Sequence, residues 1–185
     1  AGAGRHLMLI ALALMAAPAP VDALAAALAA NDSATAALGG WCATRHIAEP
    51  ATITAAQVKG ADALPAPDIN TTLGMNEQDE PGYRHVRLSC GGHVLSEAHN
   101  WYVPARLSAE MNATLANSDT PFGKVAAPLH FRRERLGEVR GPAFGCPAAT
   151  VLSHRALLRL PDGAVLALVV ECYTPDTLAG GAGAK

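Results

Sequence analysis

The sequence predicts an α+β fold: a single domain in which helices pack around a largely antiparallel sheet. Three observations predict it. Residues 83–103 and 151–173 each read as two apolar-patterned runs joined by a short turn, which is the signature of a β-hairpin. Residues 21–38 are rich in alanine and leucine, strong helix formers. Ser108 to Ala116 carries a capping serine followed by Met111 and Leu115 on one helical face.

Taken in order, the chain opens on Arg5 and His6, an apolar run from Leu7 to Ala17, and then Pro18-Ala19-Pro20 with small residues. A basic start, a short apolar stretch and small residues are the parts of a secretory signal. We therefore divide the chain into a signal-like segment, 1–20, and one domain, 21–185. Cleavage is expected between about Ala17 and Ala23. The alternative is a buried first helix or strand. The run is too short to span a bilayer comfortably, and no second long apolar stretch follows, so no stable membrane span is expected after processing. Cleavage would place the protein in the periplasm or outside the cell; retention of the segment would leave it in the cytoplasm.

Residues 21–30 form the first helix, Asn31-Asp32-Ser33 interrupts it with capping residues, and Ala34 to Leu38 resumes until Gly39-Gly40. Trp41-Cys42 should pack inward. Residues 47–78, with Pro50, Pro65 and Pro67, read as short strands and loop. Tyr83 to Cys90 and His93 to Val103 pair across Gly91-Gly92. After the helix at 108–116, Thr120-Pro121-Phe122-Gly123 forms a tight loop, and Lys124 to Arg135 reads as a strand. Val151 to Leu160 and Ala164 to Tyr173 close the chain over Pro161-Asp162-Gly163.

Half of the 185 residues are hydrophobic, 4% are aromatic, and the formal charge is -2. No basic stripe suggests nucleic acid. The four cysteines, Cys42, Cys90, Cys146 and Cys172, lack metal-ligand spacing, and the histidines are scattered, so no metal is expected. Export would permit disulfides, and the pairing stays open among three possibilities. No nucleophile-elbow motif and no phosphate-binding glycine pattern is present.

Two charges sit where an apolar strand face should carry none. Period-two alternation puts Glu171 with Val165, Ala167 and Val169, on a strand whose other face is also apolar. Either the carboxylate is desolvated, which raises its pKa toward that of a general acid unless a cation compensates, or pairing ends before it and it reaches solvent. Arg84 shares its face with Val86, Leu88 and Cys90, where a guanidinium suits bidentate capture of a carboxylate or a structural pair with a core acid. Of the basic residues after the tight loop, Lys124 and Arg132 fall on one side and Arg133 and Arg135 on the other, mostly a solvated face.

In their order and separation, Asp32-Ser33-Ala34-Thr35, Arg84, Thr120-Pro121-Phe122-Gly123 and Glu171 resemble the chorismate pyruvate-lyase family, over roughly residues 21–175. These are small, cofactor-free bacterial enzymes that split chorismate into 4-hydroxybenzoate and pyruvate. The resemblance implies an antiparallel sheet of about six strands, helices packed on one side, and a buried ligand cavity. That fold also serves ligand-sensing domains of bacterial transcription regulators. It further implies a backbone amide from Ala34 to the product, Arg84 on the ring carboxylate, Phe122 over the ring, and Glu171 on the phenol oxygen. Arg84 and Glu171 are then the candidate catalytic residues, and no cofactor is needed. Phe122 stands where the family commonly has a smaller aliphatic residue. The first expectation is a carbon–oxygen lyase acting on chorismate or a related enol ether. The alternative is a non-catalytic periplasmic binder of small aromatic carboxylates. A monomer is expected, with a small aromatic carboxylate as partner.

Overall fold

The computed structural model of the protein describes residues 19–60 and 63–180, so the apolar run at Leu7–Ala17 lies outside the described residues. Six strands form one antiparallel sheet: β1 (Ile53–Gln57), β2 (Gly82–Cys90), β3 (His93–Tyr102), β4 (Arg132–Arg140), β5 (Leu152–Arg159) and β6 (Val165–Tyr173). Their spatial order is β1-β2-β3-β6-β5-β4. The two hairpins read from the sequence therefore meet at the centre, where β3 pairs with β6. The all-buried β6 lies in the interior of the sheet, as its two apolar faces require.

Four helices cover one face: α1 (Pro20–Ala29), α2 (Ala34–Thr44), α4 (Ala109–Asn117) and α5 (Phe122–Val125). Leu24, Leu28, Leu38 and Trp41 pack there on Ile53, Leu88 and Tyr173, while Leu115, Phe122 and Phe131 pack on Ala156, Leu158 and Val169. The opposite face is covered in part by the loop at Leu64 and Ala66 and by the short helix α3 (Ile69–Leu73), against Trp101, Leu168 and Val170.

Several elements depart from the sequence expectation. The second helix runs through Gly39-Gly40 to Thr44, because Trp41 and Cys42 anchor its far end in the core. Trp41 Nε1 donates to the Thr177 carbonyl at 2.7 Å. Residues 122–129 are helical rather than extended, and the strand begins only at Arg132. The segment 47–78 contains one strand and α3, the latter ending on Gly74 in the left-handed conformation.

The cysteines pair as Cys42–Cys90 and Cys146–Cys172. The first ties α2 to β2, the second ties the β4–β5 connection to β6. Among the described residues, no helix is long and apolar enough to cross a membrane.

Candidate functional site

The helical face of the sheet carries a cleft beneath the start of α2 and α5. Its floor is Val86 on β2, Ala98 and Asn100 on β3, and Val169 and Glu171 on β6; its roof is residues 32–35, Phe122-Gly123 and Phe131. Local chemistry explains the roof. Ser33 caps α2 by accepting from the Ala36 amide at 3.3 Å. Asp32 turns outward to accept from the Arg133 amide at 2.9 Å, which pins the α1–α2 connection to β4. Gly123 lies so close to α2 that a Cβ there would stand 2.5 Å from Ser33 Oγ and 3.1 Å from Thr35 Oγ1. Glycine lets α5 seat on the first turn of α2 without displacing these hydroxyls.

Of the four residues singled out from the sequence, Ala34, Phe122 and Glu171 line this cleft. Phe122 is buried, with its ring 5.5 Å from that of Tyr102. Arg84 lies beside the cleft rather than in its lining, cross-strand from Asn100. It is 4% exposed and donates to the carbonyls of Thr120 (3.2 Å) and Ser118 (3.3 Å). Its Nε is buried with no hydrogen-bond partner. Burial lowers its pKa from the ordinary arginine value, against the opposing fields of Tyr102 and the exposed Asp119.

Glu171 is buried, which removes the solvent-facing alternative. It is not, however, a raised-pKa acid. Burial does favour its protonated form, but Arg133 overrides this, donating from Nη1 to Oε1 at 3.0 Å and from Nη2 to Oε2. Tyr173 donates a third bond to Oε2 at 2.7 Å. The net result is a carboxyl held below its usual range, ionised at neutral pH. Nor does Glu171 pair with Arg84.

Arg133 is the residue that sequence reasoning missed. Placed with the solvated face, its side chain is in fact only 7% exposed. The signal available was indirect: a carboxylate on a strand apolar on both faces requires a cation, and β4 supplies one on the same face. Behind the pair, His154 is fully buried, donates from Nε2 to Glu138 Oε2 at 2.9 Å, and meets the Tyr173 ring edge-on. Burial lowers its pKa, with Glu171 and Glu138 acting the other way.

As it stands the cleft encloses about 40 Å³. That is room for about three or four waters, since one needs about 10–15 Å³. An organic ligand requires the roof to lift. Among the described residues, no group of three or more His, Cys, Asp or Glu side chains is placed to hold a metal.

No protein-family model matches the chain. The uncharacterised protein y4mC of Sinorhizobium fredii (strain NBRC 101917 / NGR234) is 38% identical over 177 residues, covering 85% of this chain and 75% of y4mC. Among solved structures, PhnF from Mycobacterium smegmatis superposes with a TM-score of 0.54 at 13% identity, over 83% of this chain and 69% of PhnF. The separately solved effector domain of PhnF gives a TM-score of 0.50 at 12% identity, over 68% of this chain and 82% of that domain. These structures share the fold: a six-stranded antiparallel sheet with helices, in the arrangement of a regulator's effector domain.

Proposed function

The chain belongs to the family of the uncharacterised protein y4mC, and we propose that it binds a small organic anion, an aromatic carboxylate in the first instance, in the cleft between α2, α5 and the sheet. The observation that carries this reading is Arg84. Two buried guanidinium groups flank the cleft, and only one has a carboxylate: Arg133 holds Glu171, while Arg84 holds only neutral carbonyls and leaves Nε unpartnered. Buried charges are ordinarily paired, so a surplus buried cation beside a cleft roofed by two helix starts selects an anion. Similarity of fold to the PhnF effector domain supports a binding role.

In this reading the roof lifts, the ligand's carboxylate displaces the Ser118 and Thr120 carbonyls from Arg84, and Phe122 closes over its apolar body. Glu171 remains ionised against Arg133 and accepts a hydrogen bond from a ligand hydroxyl, in competition with Tyr173. The two disulfides suit an oxidising compartment and support export.

Lyase action on chorismate is the second reading, supported by Ala34, Phe122 and Glu171 lining one cleft. It asks Glu171 to deliver a proton, and a carboxylate held by Arg133 and Tyr173 has none to give. Incubation with chorismate separates the two. The binding reading expects no 4-hydroxybenzoate absorbance above the uncatalysed rate, together with 4-hydroxybenzoate binding that Arg84→Met weakens by about 2–5 kcal/mol. Steady turnover would establish the lyase instead.

A further inference from the structure

We propose that the opposite face of the sheet carries a second binding site, for an elongated apolar molecule with an anionic head, of the medium-chain carboxylate class. The two sites have no lining residue in common.

The face holds a cavity of about 390 Å³, far larger than the 40 Å³ cleft and within the range of roughly 300–1,000 Å³ typical of organic-ligand sites. Its floor crosses four strands: Trp101 on β3, Leu168 and Val170 on β6, Arg155 on β5, and Gly137 on β4. One wall is the proline-bearing stretch from Leu64 to Ile69; the other is Ala143-Phe144. Prolines at 65 and 67 fix the backbone of the first wall, and the Cys146–Cys172 bridge fixes the base of the second. The walls are therefore built rather than formed around a ligand.

Two observations select the occupant. The first is apolar surface left uncovered. Phe144 is 75% and Val139 45% exposed, and both line this cavity. The second is charge. Arg155 is the one cation in the lining. Its cross-strand neighbours are Val170 and Gly137, neither able to pair with it, and among the described residues it forms no ion pair. Gly137 adds to the room: a Cβ there would meet nothing within 4 Å. Of the other polar groups in the lining, Ser153 and His154 are committed elsewhere, while, among the described residues, Thr72 and Asp68 are free to meet a ligand. Ser153 Oγ donates to the Gly141 carbonyl and accepts from the Ala143 amide. The His154 side chain is committed to Glu138. Asp68, at the start of α3, also lines the cavity and forms no ion pair with Arg155. An apolar body on Trp101, Leu168 and Val170 with its carboxylate on Arg155 satisfies both observations.

The test is calorimetric titration of the full chain with dodecanoate, below its micellar concentration, and in parallel with dodecylammonium. One equivalent of dodecanoate should bind and dodecylammonium should bind far more weakly. Arg155→Gln, an exposed position, should weaken dodecanoate by roughly tenfold to a hundredfold, the scale of a charge-assisted hydrogen bond. Asp68→Asn should leave that affinity unchanged or tighten it. Gly137→Leu, which fills the cavity, should abolish dodecanoate binding and leave the thermal unfolding midpoint near that of the wild type. The proposal is overturned if dodecanoate gives no binding heat, if dodecylammonium binds as tightly, or if Arg155→Gln and Gly137→Leu both bind dodecanoate like the parent.

Discussion

Arg133 and Glu171 form an ion pair that neither residue could sustain alone. Each is 7% exposed at its side chain, and each loses more by desolvation than exposed charges do. Arg133→Met strands a buried carboxylate and should cost about 3–5 kcal/mol, measured by urea unfolding at pH 7. Replacing both partners with apolar residues of similar volume should cost much less, since no charge is then orphaned. The pH dependence follows from Glu171 and from two buried histidines, His154 and His99, whose pKa values burial lowers. Glu171 has a folded-state pKa lowered by Arg133. Its stabilisation is therefore complete above the unfolded value of about 4.3 and is lost as pH falls through the folded value. His154 has a pKa lowered by burial, so protons favour the unfolded chain and stability already declines below about pH 6.5. The groups facing it are Glu171, Glu138, Arg133 and Arg135. The urea midpoint should fall between pH 7.5 and 5.5, and that early decline should shrink in His154→Phe, the remainder coming from the buried His99.

At this scale Arg84 and Glu171 were legible in the sequence, because alternation assigns each to an apolar face whatever the fold. Arg133 was not. On the edge strand β4 nearly every residue is exposed, and alternation cannot reveal that Asp32 and the start of α2 cover one position of it.

Among the elements, α2 and α5 decide whether the cleft is open. Gly123→Ala pushes against Ser33 Oγ, the oxygen that caps α2. Rotating Ser33 away relieves the contact and gives up the cap. Gly123→Ala should therefore cost about 1 kcal/mol, the usual worth of an N-cap, and should add little in a Ser33→Ala background. Urea unfolding of the two single variants and the double variant measures this. The Cys42–Cys90 bridge closes a separation of 48 residues, which corresponds to about 4 kcal/mol on the chain-entropy scale. It also tethers the far end of α2, away from the cleft. The two hairpins and the helix capped by Ser108 were legible because each is set by local pattern and turn chemistry. The extension of α2 past Gly39-Gly40 was not, because core anchoring through Trp41 and Cys42 outweighs the weak helix propensity of two glycines. The short helix at 122–125 was hidden for the opposite reason: four residues carry no periodicity to read.

For the whole molecule, the sheet order brings the N-terminal helices, the mid-chain helices and both hairpins to one cleft, and three of the four positions the family resemblance singles out, Ala34, Phe122 and Glu171, line it. What the resemblance could not supply is the charge state of its centre, which depends on Arg133. The signal-like segment bears on the same scale. α1 starts at Pro20, and Leu24, Ala25 and Leu28 are buried, so cleavage toward Ala23 would cut a packed helix. If the segment is removed, mass spectrometry of protein from its native host should place the new N-terminus at or before Pro20. An intact N-terminus would defeat export.

The central claim is that a surplus buried cation at Arg84 makes the cleft a receptor for an organic anion. Its most direct test is to titrate the full chain with 4-hydroxybenzoate and with 4-hydroxybenzamide, which match in shape and differ in charge. The benzoate should bind at least tenfold more tightly, the scale of one charge-assisted hydrogen bond, about 1.5 kcal/mol or more. Equal affinity for the two, or stronger binding of the amide, would contradict it.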